Sequence, residues 1–429
     1  MVFLKPGATA QEIMEASFAN HVEWFNEKAL ISGGVVHHEE GFCWQSAAEE
    51  VTVPFPEGTI IEKDLNDFVA DLILECRNKG VNSASVWMLK SDDSVKLGAK
   101  LLSWGFEWGW KPHWMSMDFT RIPVDFALPV GVTVVIDDGS DSRAEGLPYY
   151  TPKDIENLNR ISQKSPRRLW RFVVRFEGKV VGESVMLLTS GTSGVAGIYN
   201  VGVIPSMRKQ GIATALMFEL CRFAQSKGCH YATLNSAADG FYDKIGFDSL
   251  GWGQTWWMHK AQIDSAQPTP NQREFLEKLC SGDITGLNLL WDSRMGAEEK
   301  PASWDVLLQN GHTALANAVA AKQHNSVEWL IQKGAVLDIL QAWELGWKER
   351  IPVILEANPE AINSPGGQWK ITPLHQAVQR RDIELVKVLL QYQPELTIKD
   401  SEFNSTPLGW ANHFGYHEIS DLIEAYQLS

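Results

Sequence analysis

A strand-like run, Gly197 to Ile204, leads into Pro205-Ser206-Met207-Arg208-Lys209-Gln210-Gly211, and helical spacing begins at Ile212. The first amides of a helix have no carbonyl partner inside it. Together with the helix dipole they attract an anion, phosphate above all. Gly211 lets such a group come close to the backbone, Ala213 adds little bulk, and Thr214 adds a hydroxyl. Arg208, Lys209, Gln210, Gly211, Ile212, Ala213 and Thr214 therefore make a cradle of pyrophosphate size. Neither GxGxxG nor GxxxxGK[ST] accompanies it, which argues against the nucleotide sites those motifs mark. A second residue of chemical interest is Glu183, which interrupts the apolar strand Lys179 to Leu188.

The elements that must position these residues alternate in type. Trp170 to Phe176 and Lys179 to Leu188 flank the turn Glu177-Gly178, a hairpin signal. Apolar spacing is helical from Ile212 to Lys227, and Gly228 stops it. Tyr231 to Leu234 reads as a strand, Asp239 to Ile245 as a short helix, and Trp252 to His259 as a last strand. An earlier stretch echoes this order. A helical pattern from Asp64 to Lys79 stops at Gly80, and Cys76-Arg77 mirrors Cys221-Arg222. Gly105-Phe106 and Gly246-Phe247 each precede a Trp-rich segment that ends in Trp114-Met115 or Trp257-Met258. A diverged duplication is expected. Between Ile60 and Leu72 the earlier copy offers only Glu62-Lys63-Asp64, whose carboxylates would repel a phosphate.

Composition sets the outer limits. The chain has 429 residues, enough for about three domains. Hydrophobic residues are 44% and charged residues 21%, an ordinary globular balance. The net charge of −15 argues against a nucleic-acid partner. No apolar run reaches the length of a membrane span, and the N-terminus lacks a signal-peptide pattern. Five cysteines without CxxC spacing point to reduced thiols and a cytoplasmic protein, with no metal site. His37-His38-Glu39-Glu40 is a poor ligand set, because adjacent strand residues face opposite ways. Polar, Pro-bearing segments suggest boundaries that give blocks 1–125, 130–262 and 270–429.

Two resemblances give these blocks names. Val203-Ile204-Pro205 followed by Arg208-x-x-Gly211-x-Ala213 resembles the acetyl-CoA signature of the GNAT N-acetyltransferases. Asn235-x-x-Ala238-x-x-Phe241-Tyr242-x-x-x-Gly246-Phe247 is similar to that family's second conserved region. The resemblance implies tandem α/β domains, the first degenerate, each a mixed sheet with flanking helices. It implies acetyl-CoA as co-substrate, with its pyrophosphate on the cradle and its pantetheine against the backbone of Val201 and Val203. Tyr242 matches the general acid, and Asn235 is in position to orient it or to bond pantetheine. The amine acceptor needs a base, for which Glu183 is the candidate, with His230 and Asp239 behind it. The basic run Lys164 to Arg171 could take the CoA 3′-phosphate or an anionic acceptor, or remain a solvated face. Trp104, Trp108, Trp110 and Trp114 could wall the acceptor cleft or simply pack.

The last block repeats. Thr313-Ala314-Leu315, Thr372-Pro373-Leu374-His375 and Thr406-Pro407-Leu408 are each followed by an apolar helix anchored by Val327, Val386 or Ile419. Weaker units centre on Leu287 and Ile351. A period near 33 with TPLH resembles ankyrin repeats, an all-α solenoid that implies a protein partner. The short step from Val327 to Ile351 predicts one shortened unit. An inactive GNAT fold serving an ankyrin interaction module is the alternative to an enzyme.

Overall fold

Strands and helices alternate up to Asp264, and helices alone follow from Pro270. The computed structural model describes residues 1–428 except 40–41, 48, 55–64, 90–94, 138–144, 237–239 and 367–368. Two units separate between Pro268 and Thr269.

In the first unit, α1 (Ala10–Ile31) is followed by β1 (Val35–His38), β2 (Cys43–Ser46) and β3 (Glu50–Pro54). Then come α2 (Leu65–Lys79), β4 (Ser83–Met88), α3 (Val95–Ser103), β5 (Glu107–Trp108) and β6 (His113–Asp118). The second half runs β7 (Val132–Ile136), α4 (Pro152–Ser162), β8 (Leu169–Phe176), β9 (Lys179–Leu188) and β10 (Ala196–Val203). It continues through α5 (Ile212–Ser226), β11 (Tyr231–Ser236), α6 (Phe241–Lys244), β12 (Asp248–Trp252), β13 (Gln254–His259) and α7 (Lys260–Asp264). Leu216, Leu220 and Cys221 of α5 are fully buried at helical spacing, and Gly228 ends the helix in the left-handed region.

Among the described residues there are two sheets, of order β1-β2-β3-β4-β13-β5 and β12-β6-β11-β10-β9-β8-β7. Each has one parallel pair joined by a helix, β3–β4 through α2 and β10–β11 through α5. That correspondence is the tandem α/β plan.

The blocks are not separate, because they exchange a strand. β6 from the first block pairs with β11 and β12 of the second sheet. β13 from the second block pairs with β4 and β5 of the first sheet. The single strand expected from Trp252 to His259 is therefore two strands in two sheets. The chain crosses at Gly253, whose Cβ position would lie 2.5 Å from the Met88 carbonyl and 2.7 Å from Trp114 Nε1. No side chain fits there. Trp114 and Trp256, carried by the exchanged strands, are fully buried. The exchanged segments are the two Trp-Met echoes of the sequence.

Helix α1 ties the halves from the outside. Buried Asn20 donates to the carbonyls of Leu187 and Val195 and to Thr189 Oγ1 at 3.0–3.2 Å, and accepts from the Tyr199 hydroxyl at 2.6 Å. The basic run serves this contact. Lys164 and Arg168 pair with Glu23 and Glu27 of α1, and Arg167 lies over the Trp170 ring. Helix carboxylates neutralise these cations, so the run is not a free anion site.

In the second unit, five helix pairs stack among the described residues. They begin at Pro270, Ala314, Ile339, Pro373 and Pro407, after the caps Thr269, Thr313, Asp338, Thr372 and Thr406. The third pair starts only 25 residues after the second, which is the shortened unit. His375 explains the TPLH spacing. One ring nitrogen meets Thr372 Oγ1 at 2.8 Å, and the other meets the Ser405 carbonyl of the next unit at 3.0 Å.

The exchange makes each half depend on the other. Residues 1–125 produced alone lack β13 and are expected to show no cooperative thermal transition in calorimetry. Residues 1–268 are expected to show one.

Candidate active site

The parallel strands β10 and β11 share register only at Ala196↔Ala232 and Gly197↔Thr233. Beyond Gly197 they part, although β10 runs on to Val203 and β11 to Ser236. A bulge drives the parting. Tyr199 opposes Val185 and Gly202 opposes Glu183, so Asn200 and Val201 together face the single residue Ser184. Asn200 has φ 56°, and Ser184 Oγ donates to the Tyr199 carbonyl at 2.9 Å. In the first sheet the equivalent pair β3–β4 stays in register from Glu50↔Ser83 to Pro54↔Trp87. Among the described residues, that pair shows no such parting.

The slot between β10 and β11 belongs to a cleft of about 660 Å³, lined by Asn200 and Val201 from β10, Leu234 to Ser236 from β11, and Tyr242 from α6. Helix α1 adds His21, Trp24, Phe25 and Lys28, and the first half adds Trp87 and Trp110. Of the four tryptophans expected as a wall, Trp110 lines the cleft. Trp104 and Trp114 are core residues, and Trp108 packs on Trp256. Trp87 and α1 had no motif to mark them.

The cradle follows at the end of β10. Arg208 Nε donates to the Val203 carbonyl at 3.1 Å, and the first helical bond runs from Ala215 N to Gly211 O. Among the described residues, no group of the chain accepts from the amides of Lys209, Gln210, Gly211, Ile212, Ala213 or Thr214. Lys209 and Gly211 have φ 61° and 78°, a left-handed turn that points successive N–H groups outward. Gly211 caps α5 with no side-chain hydrogen bond to the cap. Val203 is buried beside this turn, and Val201 faces the slot.

The expected side chains divide. Tyr242 is 9% exposed, lines the cleft, and has its hydroxyl pushed well above the usual phenol range by burial. It holds its proton at neutral pH. Asn235 lines the same wall, with its amide 3.3 Å from His21 Nε2. Glu183 lies elsewhere. It is fully buried and held by Arg171 Nε at 3.1 Å and Nη2 at 2.7 Å, while Arg171 Nη1 meets Asp137 at 2.6 Å. This ion triad adjoins the bulge, and the carboxylate that broke the apolar run is paired with Arg171. His230 precedes β11, about 16 Å along the strand from Asn235 at 3.3 Å per residue. Asp239 and Ala238 lie outside the described residues.

His21 escaped sequence reasoning because no motif carries it. Its ring packs among Phe25, Trp87, Trp114 and Tyr199, with centroids 4.8–5.6 Å away. Burial, with a smaller push from Lys28, lowers its pKa to about 3. It is a neutral imidazole at physiological pH. Among the described residues no cluster of three or more His, Cys, Asp or Glu could hold a metal, and no helix is long and apolar enough to cross a membrane.

The model of the acetyltransferase (GNAT) family matches residues 141–247, and that of the ankyrin repeat matches 369–401. The chain carries a GNAT acetyltransferase domain and an ankyrin repeat. GNAT enzymes use acetyl-CoA, and the cradle and Tyr242 both fall inside the matched span. Over 76 residues the chain is 37% identical to a glucosamine 6-phosphate N-acetyltransferase of Trypanosoma brucei brucei. Those residues are 16% of this chain and 52% of that protein, so the chain spans about half the length of this curated relative. A GCN5-related N-acetyltransferase from Kribbella flavida is similar over 56% of this chain and 95% of its own, at 15% identity and TM-score 0.39. A tandem GNAT protein from the clavulanic acid biosynthesis pathway is similar over 60% and 97%, at 11% identity and TM-score 0.40.

Two measurements follow from the buried groups. Glu183→Ala leaves Arg171 short of a partner in the core and is expected to cost about 3 kcal/mol of stability in thermal unfolding. A base in the cleft would instead lose turnover at an unchanged midpoint. His21 binds a proton near pH 6.5 when unfolded but only near 3 when folded. Stability therefore falls as pH drops from 6.5 toward 3. On going from pH 7 to 5, wild type should lose on the order of 2 kcal/mol more than His21→Gln.

Proposed function

We propose that the chain is an acetyl-CoA-dependent N-acetyltransferase that passes acetyl directly to an amine. The observation that carries this reading is the parting of β10 from β11 beside the open amides of Lys209 to Thr214. The amides hold the pyrophosphate, and the left-handed turn at Gly211 lets it seat on the backbone. The unpaired edge of β10 at Val201 and Val203 receives the amide-bearing arm as a neighbouring strand would. Acetyl-CoA supplies the activated acetyl thioester.

A β10 amide beside the bulge donates to the carbonyl oxygen where charge develops. As the N–C bond forms and the C–S bond breaks, Tyr242 delivers its proton to sulfur. The proton lost by the amine restores the tyrosine through water. Asn235, held by His21, orients that end of the cleft. Glu183 is not assigned the base, because its carboxylate is committed to Arg171. We propose a protein partner for the C-terminal unit, supported by its ankyrin repeat.

Calorimetric titration with acetyl-CoA tests the cradle. Wild type is expected to bind at one site and Gly211→Glu to show no binding, since the new carboxylate would stand at the phosphate position. Tyr242→Phe is expected to keep acetyl-CoA affinity and lose about 100-fold in kcat. Binding unaffected by Gly211→Glu would refute the placement.

A further inference from the structure

The cleft lining mixes two kinds of side chain. Asn200, Asn235, Ser236 and Tyr242 offer polar atoms, and Trp24, Phe25, Trp87, Trp110 and Tyr199 offer rings. His21 joins the two, with Nε2 3.3 Å from the Asn235 amide and its ring centroid 5.6 Å from that of Trp87. The rings brace one another. Trp24 stacks on Tyr199 with centroids 4.4 Å apart and an 11° tilt, and Trp87 meets Trp110 edge to face at 5.5 Å and 88°. Phe25 meets Trp87 at 5.3 Å. Two polar atoms among these rings are engaged: the Tyr199 hydroxyl donates to Asn20, and the Trp87 indole N–H donates to Ser85 Oγ at 3.2 Å. The ring faces and edges take flat apolar groups by offset or edge contact.

Charge narrows the ligand further. Among the described residues, the one charged side chain lining this cleft is Lys28, half exposed and 3.8 Å from Glu50. Among the described residues no carboxylate lines it. The carboxylates of Glu49, Glu50 and Asp154 line a separate cleft of about 310 Å³ that shares Phe25 and Lys28. A polyamine would bury its second ammonium against rings without a counter-charge. A sugar phosphate could pair its dianion with Lys28, but its hydroxyls would meet ring faces, at several kcal/mol for each unpaired polar group. An amine whose body is aromatic meets neither cost. Its ammonium is attracted by the ring faces on the way in, and neutral His21 does not repel it.

We propose that the acceptor is a primary arylalkylamine, with its nitrogen at Asn235 and Tyr242 and its ring against Trp110 and Trp87. The proposal rests on the acetyl-transfer reading above. It gives the first half of the fold, whose own parallel strands stay in register over their described residues, the role of selecting the acceptor.

The test uses the full chain, follows CoA release as free thiol, and measures acetyl-CoA affinity separately by calorimetry. The acceptors are phenethylamine, tyramine, spermidine, glucosamine 6-phosphate and a lysine peptide. The two arylalkylamines are expected to exceed the others in kcat/KM by about tenfold or more. Trp110 is only partly buried, so Trp110→Ala should fold with an unshifted thermal midpoint. It should raise the phenethylamine KM about tenfold while kcat and acetyl-CoA affinity stay within about twofold, and Trp110→Phe should restore most of the loss. Faster turnover of spermidine, the phosphosugar or the peptide overturns the proposal and leaves acetyl transfer standing. So does acetyl-CoA binding without any arylalkylamine turnover. Absence of acetyl-CoA binding in the folded protein overturns the acetyl-transfer reading, and this proposal with it.

Discussion

After Gly197, two neighbouring parallel strands give up their shared hydrogen bonds, and the functional architecture depends on that surrender. Buried backbone donors and acceptors are rarely left unmet. Strands that part inside a sheet must therefore expose their edges to water or to a ligand that pairs like a strand. The bulge at Asn200–Val201 enforces the parting by placing two residues against one. The ion triad of Arg171, Glu183 and Asp137 adjoins it. Over its described residues the pair β3–β4, which has no such bulge, stays in register.

Around the parted strands the two halves have become one object. β6 and β13 trade places between the sheets, and α1 crosses from the first half to bond the second through Asn20. Neither half retains a complete sheet of its own. This interdependence ties the first half to the cleft. That half supplies Trp87 and Trp110, and α1 supplies His21, Trp24 and Phe25, to a lining completed by β10, β11 and Tyr242. The basic run Lys164 to Arg171 belongs in part to the same joint, since Lys164 and Arg168 meet Glu23 and Glu27 while Arg171 meets Asp137 and Glu183.

The cradle was legible because its chemistry is local. A glycine at a strand-to-helix turn followed by small residues and a helix produces open amides wherever it folds. Tyr242 and Asn235 were singled out by their resemblance to the family's second conserved region, and both line the cleft. The repeat of Thr caps was legible because each ankyrin-like pair contacts mainly its neighbours, so its signals recur along the chain. Glu183 was misread for an equally physical reason. An isolated carboxylate in an apolar strand marks either a cleft or a buried partner, and the partner, Arg171, stands on the adjacent strand.

By itself the sequence determined what short-range chemistry dictates: the tandem α/β plan, the left-handed turn with its open amides at Lys209 to Thr214, and the capped helix pairs of the C-terminal unit. Tertiary structure alone decided which strand joins which sheet, that α1 reaches across to the second half, and that His21, Trp87 and Trp110 come to face Asn235 and Tyr242. Those outcomes depend on contacts between residues more than a hundred positions apart. Such contacts are chosen by packing and by the need to pair every buried polar group, and no local spacing encodes them.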